Sequence, residues 1–595
     1  MSAPTTAFIP ILLSAVADQQ AGRLEQAARG FSDVLALEPD QPQALLFGGV
    51  LALRMGQADR SAALLERAVA VRPTLAETHF AHGNALWAAA RKLDARAAWQ
   101  RAIQLDPEHI GALLNLAQAQ DQSGEAELAA ANCRAAIAIC PDRAQPWVIL
   151  SSALRTLGEP QPALEAAAAA IRLDPTSAAA FHQRGMSLKQ LGRPTDAADA
   201  LCEALAHDPG FAPSHLNLAN LLHDAGNLAA ALAHCRAAIA ADPAMAEAHA
   251  VLGFLLTEAG DLAGAVVACE QAVSFAPDLP EGHWNLGIAQ LSAGDLAAGF
   301  ARYEWRKRHP LYRNDFFSLP DPEWTGQPLD GKRIVIVAEQ GLGDAIMFAR
   351  YAAVLAERGA IVSIACDQRL ISLLKQAPGV SAAFAKARSM PGFDLWVDQM
   401  SLPFLCKTTL ETIPSPLPYL SAGPERAARW RARLPAPDGR RRVGLVWAGN
   451  PLHSNDANRS CPAPLFRGIT DHPAVAGVSL QVGSAAGQAP AIGLQDWSSQ
   501  LTDYAETAGL IANLDLVISV DTSVAHLAAA MGKPTWIMLP HCPEWRWLRG
   551  RDDTPWHRCV RLFRQPSPRD WDSVVGAVQA ALSAPAEQDP LEHPE

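Results

Sequence analysis

Apolar residues in the first half of the chain recur at helical spacing, and the residues that punctuate them keep one fixed period. Prolines stand at 39, 73, 107, 141, 175, 209, 243 and 277, each 34 residues after the last. Glycines stand at 22, 56, 124, 158, 192, 226, 260 and 294 on the same grid, with Ala90 in the one gap. Small residues recur at Gly49, Gly83, Ala117, Ser151, Gly185, Ala219, Gly253 and Gly287, and again at Ala95, Ala129, Ala163, Ala197, Ala231 and Ala265. The pattern predicts a helix–turn–helix unit in which glycine makes the turn, proline ends the second helix and the small residues let helices cross closely. Nine such units are expected over 8–313, the last one irregular where Tyr303, Trp305 and Arg306 replace small residues.

After a Pro-, Asp- and Gly-rich stretch (316–332) the pattern changes to short β-branched runs alternating with helical ones. A strand at 333–338 enters the glycine turn 339–344, and a helix is expected over 345–358, with further strands at 361–365 and 393–397. A second start follows a Pro- and Arg-rich joint (414–441): a strand at 442–449, a polar loop to Ser460, and a strand at 477–481. The stretch 516–534 then reads as a buried strand, a turn at Asp521, Thr522 and Ser523, and a small-residue helix from Val524 stopped by Gly532 and Pro534, with the next strand at 535–539. A strand turning directly into a helix aims backbone N–H groups and a positive dipole end outward, a ready phosphate site. The alternative is an ordinary βαβ unit whose His526 faces the core. Two strand–helix halves imply two facing Rossmann-like domains with a cleft between them.

The 34-residue unit resembles the tetratricopeptide repeat, which implies an α-solenoid, a superhelix whose concave face binds peptides. The position two before the small residue of each first helix should face inward; it is Asn115, Gln183, Asn217 and Asn285 in four units, and Ala81, Ile149 and Val251 in others. Amides on one phased row suit an extended peptide backbone, the alternative being polar residues that solvate an exposed face.

Composition narrows the setting. At 595 residues two or three domains are expected, and a formal charge of −12 without a basic run gives no sign of nucleic acid. The ten cysteines show no Cys-x-x-Cys pair or metal-ligand spacing, and Cys133, Cys235 and Cys269 fall at equivalent repeat positions, as core residues would. A reduced, cytoplasmic setting is expected. The start at 8–17 mimics a signal-peptide core, but no Lys or Arg precedes it and it fits the first repeat in phase, so a helix is expected. No apolar run is long enough to span a bilayer.

Four motifs then bear on chemistry: Glu339-Gln-Gly-Leu-Gly-Asp344; Trp447-Ala-Gly-Asn-Pro451 with Asn455-Asp456 and Arg459-Ser460; Asp521-Thr-Ser-Val-Ala-His526; and Trp545-Arg-Trp547 with Arg561-Leu-Phe-Arg-Gln565. Together they resemble the repeat-containing glycosyltransferases related to glycosyltransferase family 9, the heptosyltransferases. The resemblance implies a two-domain GT-B fold, a nucleotide-sugar donor, inversion at the anomeric carbon, and neither metal ion nor other cofactor. In plan it is similar to alphaproteobacterial flagellin glycosyltransferases, which attach a nonulosonic acid such as pseudaminic or legionaminic acid, so a CMP-linked donor and flagellin or another protein acceptor are implied. The base of the family falls on Asp344. Donor-side positions are Gly341, Gly343, Asn450, Arg459, Gln481, Asp521, Thr522, Ser523 and His526, with Ser523 where heptosyltransferases usually have glycine. The bland alternatives are an N-cap for Asp344, a structural ion pair for Arg459 and a helix-face residue for His526. Other readings are an O-GlcNAc-type enzyme with another acceptor, and a repeat scaffold or chaperone with an inactive transferase domain. The expected organisation is a repeat array (1–313), a linker (314–332), an acceptor-side half (333–420), a nucleotide-sugar half (421–583) and a disordered acidic tail (584–595).

Overall fold

The computed structural model describes residues 7–309, 319, 322–387, 390, 392–415, 417–436, 438–453 and 455–584. All but the first residue of the tail expected at 584–595, and most of 314–321 in the expected linker, lie outside the described residues. The chain divides between Asp242 and Pro243 into two compact units.

The first unit holds seven helix pairs, from Phe8–Gln20 with Leu24–Leu37 to Ala212–Asp224 with Leu228–Ala241. The grid has a plain mechanical reading. Each glycine between paired helices has a positive φ, from 72° at Gly192 to 79° at Gly158 in this unit, and Ala90 takes the same left-handed conformation at 59°. The small row sits against the second helix of its own pair: a Cβ on Gly49 would lie 2.5 Å from Leu65, and one on Gly83 2.5 Å from Trp99. Cys133 and Cys235 are wholly buried on that second-helix row, and burial pushes both thiols up to about 12. Side chains six residues after the phased proline reach back to its carbonyl, as His79 does to Pro73 at 2.9 Å and His215 to Pro209 at 3.1 Å.

The second unit begins with two more pairs, Ala246–Ala259 with Leu262–Phe275 and Pro280–Ser292 with Leu296–Tyr303, the last running into a 3-10 turn at Glu304–Arg308. Here too Gly253 leaves no room for a Cβ beside Cys269 Sγ, at 2.1 Å. The expected boundary at 313 is therefore not the boundary of compactness. These last repeats share one hydrophobic core with the α/β part, through Leu291, Leu296, Phe300 and Tyr303 packed with residues such as Ile346, Phe348, Trp545 and Trp556.

The α/β part contains two wholly parallel sheets. The first has strands β1 (Arg333–Val337), β2 (Ile361–Cys366), β3 (Val380–Ala385) and β4 (Leu395–Asp398) in the order β3-β2-β1-β4. The second has β5 (Arg441–Val446), β6 (Val475–Ser479), β7 (Leu516–Val520), β8 (Thr535–Leu539) and β9 (Val560–Arg564) in the order β6-β5-β7-β8-β9. Strand order reverses beside β1 in one sheet and between β5 and β7 in the other, where open parallel sheets bind ligands outside their carboxyl ends. Register keeps those ends level: Val337 lies opposite Ala365 and Asp398, and Val446 opposite Ser519. The helix expected over 345–358 is two, Leu342–Phe348 and Tyr351–Glu357, because Arg350 between them is buried and spends its guanidinium on Met347 O, Pro414 O, Trp556 O and Tyr419 Oη. Among the described residues no helix is long and apolar enough to cross a membrane.

Candidate functional site

The turn after β1 and the turn after β7 meet. Gly341 precedes the helix Leu342–Phe348, and Asp344, its third residue, accepts from the Gly341 N–H at 2.9 Å, the ordinary use of a carboxylate in a first helical turn. The N-cap residue itself is Gly341; Asp344, at the third helical position, reaches back to the N-cap backbone. Asp344 also does something more: its other oxygen is paired with the guanidinium of Arg546, more than two hundred residues away and buried. Burial pushes the Asp344 carboxyl above its usual range, and Arg546 pulls against that shift.

On the other side, the wholly buried β7 delivers Asp521 and Thr522 to the helix Ser523–Ala530, with Thr522 as the N-cap residue. Ser519 Oγ lies 2.9 Å from Thr522 Oγ1, and Ser523 Oγ is 2.5 Å from Tyr504 Oη. The buried Trp545–Trp547 turn closes the arrangement. Trp547 Nε1 donates to Asp521 Oδ2 at 2.9 Å, and its ring stacks on His526 with centroids 5.1 Å apart. Arg546 bonds Glu544 at 2.5 Å and lies 4.4 Å above the Trp545 ring. Burial, then the nearby Glu544, pushes Asp521 up to about 6. Burial, then Arg546 and Arg350, push His526 down to about 3, so its ring is neutral at any working pH. Two buried polar atoms here have no hydrogen-bond partner, Nε of Arg546 and Nδ1 of His526.

Gly343 is what lets the two helices touch: a Cβ there would lie 2.9 Å from His526 Cδ2 and 3.5 Å from Ser523 Cα. The loop after β5 folds over the same place. Ser460 Oγ accepts from Gly449 N–H at 2.9 Å, and Arg459 Nε is 3.4 Å from Asp456 Oδ1. Arg459 also acts electrostatically on Asp521 and His453, and His453 feels Glu544 and Asp344 in turn, so these groups share one neighbourhood.

The structure therefore gathers Gly341, Gly343, Asp344, Arg459, Asp521, Thr522, Ser523 and His526. Two donor-side candidates behave differently. Gln481 is buried at the end of β6 with its amide spent on backbone: it accepts from Trp447 and Ala448 N–H at 3.1 and 3.0 Å, and donates to Ala448 O and Val482 O, both at 3.0 Å. A saturated buried amide fixes the loop after β5 rather than presenting groups to a ligand. Asn450 is exposed and caps its own turn, accepting from Leu452 N–H at 3.1 Å.

The repeat row is half-buried, and its amides are engaged: Asn115 donates to Asn84 Oδ1 at 2.7 Å, Asn217 to Pro213 O at 2.9 Å and Asn285 to Ala250 O at 3.0 Å. Gln183 differs, its Oε1 being buried without a partner. Arg546 and Glu544 were not among the sequence candidates, although Arg546 lies inside the Trp-Arg-Trp motif. That flanking pattern is the signal for it. Among the described residues no cluster of three His, Cys, Asp or Glu side chains is placed to hold a metal ion.

Comparison with known proteins finds repeats in the first half of the chain and a transferase segment in the second. Tetratricopeptide repeat patterns match residues 12–76, 80–144, 150–210, 182–246 and 222–283. Residues 501–537 match glycosyltransferase family 9 (heptosyltransferase), a stretch that contains β7, the Asp521 turn and the following helix. Protein FlbA of Caulobacter vibrioides is 29% identical over 310 residues, 48% of this chain and 52% of FlbA, so the chain spans about half the length of that relative. Among solved structures, one chain of the APC/C hetero-tetramer Cut9-Hcn1 superposes with a TM-score of 0.35 at 15% identity, over 45% of this chain and 52% of that one. A thermophilic TPR protein of Thermus thermophilus gives 0.29 at 26% identity, over 30% and 98%. Tetratricopeptide repeats followed by a glycosyltransferase family 9 segment identify the chain as similar to the repeat-bearing glycosyltransferases.

Proposed function

We propose that the protein is an inverting, metal-independent glycosyltransferase of GT-B plan that moves a sugar from a nucleotide to a serine or threonine of a protein bound by its repeats. The observation that supports this most is the meeting of two strand-to-helix turns, one carrying Asp344 and the other Asp521 to His526, at the carboxyl ends of two parallel sheets. In the reaction the acceptor oxygen attacks the anomeric carbon, the carbon–phosphate oxygen bond breaks, and the acceptor proton passes to Asp344. A carboxyl raised by burial is a better proton acceptor near neutral pH than an ordinary one. The charge released on the phosphate needs a cation, and Arg459 beside the Asp521 turn supplies one. His526, neutral and stacked, contributes a polar edge and shape but no charge. The resemblance in domain plan supports flagellin as acceptor and a CMP-linked nonulosonic acid as donor.

Thermal shift against CMP, UDP, GDP and ADP in the presence of EDTA tests the reading. One nucleotide should raise the transition without metal, by about 2.7 kcal/mol at a hundredfold excess over its Kd. A shift that appears only with Mg²⁺ or Mn²⁺ refutes metal independence. Asp344→Asn should keep that shift and lose transfer by about 10²–10⁴-fold; wild-type turnover by this variant would remove Asp344 as base.

A further inference from the structure

The last helix pair departs from its own repeat pattern, and the departures point at the candidate base. At 34-residue spacing, positions 68, 102, 136, 170, 204, 238 and 272 are all alanine and all buried; the next position on that row is Arg306, which is 0% exposed. The row that carries Leu65, Trp99, Cys133, Leu201, Cys235 and Cys269 ends in Tyr303. A repeat needs neither an arginine nor a tyrosine hydroxyl at these places.

Both reach into the turn before Asp344. Arg306 forks onto Glu339, with Nη2 to Oε1 at 2.6 Å and Nε to Oε2 at 3.1 Å, and adds Ser401 Oγ at 3.0 Å and Glu304 at 2.7 Å. Glu339 is itself buried and accepts from Met400 N–H at 3.0 Å, while its carbonyl takes the Gln399 amide at 2.7 Å. Tyr303 Oη sits between the amide atoms of Gln340, donating to Oε1 at 3.2 Å and accepting from Nε2 at 2.8 Å. Gln340 holds a φ of 61°, a left-handed conformation that disfavours any residue with a Cβ and persists only where its surroundings enforce it. A buried ion pair is poor support for stability but can specify one conformation.

We propose that the ninth helix pair is a positioning element of the transferase site: Tyr303 and Arg306 hold Glu339 and Gln340 so that the glycine turn delivers Asp344 to its place. This rests on Asp344 being the base. Tyr303 and Arg306 act through the turn; neither touches the reacting atoms. The irregular repeat is thereby part of the active half, and the array ends on the residues that set the base.

The test uses the full chain as wild type, Tyr303→Phe, Gln340→Gly and the double variant. Amide hydrogen exchange is followed over residues 339–348, and steady-state release of nucleotide is followed from UDP-, GDP-, ADP- and CMP-linked sugars. Tyr303→Phe should speed exchange in the turn at least tenfold and lower kcat about tenfold, with the KM for the nucleotide-sugar within about twofold. Glycine takes a positive φ without cost, so Tyr303→Phe/Gln340→Gly should regain most of the lost kcat, which a merely structural tyrosine would not allow. Unchanged exchange in Tyr303→Phe, or a lowered kcat that Gln340→Gly leaves unrescued, overturns the proposal. If no sugar nucleotide turns over in the wild type while the turn still loosens in Tyr303→Phe, the clamp stands and the reading of Asp344 as base falls.

Discussion

Replacing Gly343 by alanine puts a methyl carbon 2.9 Å from His526 Cδ2, where carbon atoms normally rest about 3.5–4.0 Å apart. The imidazole has nowhere to go: it is 5% exposed, stacked on Trp547 at 5.1 Å and flanked by His557 at 5.8 Å. Ser523 Cα, 3.5 Å away, blocks the other direction. The two helices must therefore part by roughly 0.5–1 Å, the difference between that contact and a normal one. Overpacking of this kind costs about 1–3 kcal/mol, while alanine in place of a helical glycine returns about 0.5–1 kcal/mol. The net is about 0–2.5 kcal/mol, a fall of at most a few degrees in Tm for a unit of this size. The effect on rate is far larger. Gly343 adjoins Asp344, the base proposed above, and a shift approaching 1 Å in such a group costs about 10²-fold. Gly343→Ala should thus keep its fold and nucleotide-dependent thermal shift and lose most of its turnover, measured by calorimetry and nucleotide release. Full turnover with an unchanged Tm would show that the helices have slack, and the positional argument would fail.

Two stability predictions follow from other sites. Ala90→Gly should stabilise the repeats by about 0.5–1 kcal/mol, since a left-handed alanine costs about 1–2 kcal/mol and glycine gives back about 0.4–1 through the unfolded chain; a lower urea midpoint than wild type would contradict this. Burial and the adjacent Glu339 push Asp398 up to about 7, above the roughly 3.9 of an unfolded chain, so the fold binds its proton more tightly and stability falls as pH rises through about 4–7. Asp398→Asn should lose that part of the pH dependence and be the more stable protein above pH 7, read by tryptophan fluorescence, eleven of fifteen tryptophans lying beyond residue 300. An unaltered difference between pH 5 and pH 8 would rule out Asp398 as its source.

Legibility in the sequence followed locality. Proline and glycine act on their own turns, so the 34-residue grid gave all nine helix pairs; buried apolar runs gave β1, β7 and β8 within a residue, and β5 with its end three residues too late. β3 was not visible, because Val380–Ala385 is a half-exposed edge strand made largely of alanine. β9 was not read as a strand either, since Arg561 and Arg564 interrupt its apolar pattern. The glycine turn and the Asp521 turn were legible as separate motifs. What joins them was not: Arg546 meets Asp344 only after both sheets form, and no local rule connects residues so far apart. The same holds for Gln481, whose three bonds to the backbone of Trp447 and Ala448 depend on β5 and β6 lying side by side.

The cysteines of the repeat cores have a practical consequence. Cys133, Cys235 and Cys269 are fully buried with thiols raised to about 12, so an alkylating reagent cannot reach them, and would find little thiolate, while their helices are paired. Cys202, on an exposed helix face, reacts from the start and serves as the reference. Each buried thiol then becomes a clock for the opening of its own repeat, at three known points along the solenoid and without any introduced label. Mass spectrometry of pulse-alkylated protein would read the three clocks at once. A ligand that closes on the repeats should slow the clock of the repeats it grips and leave the others running.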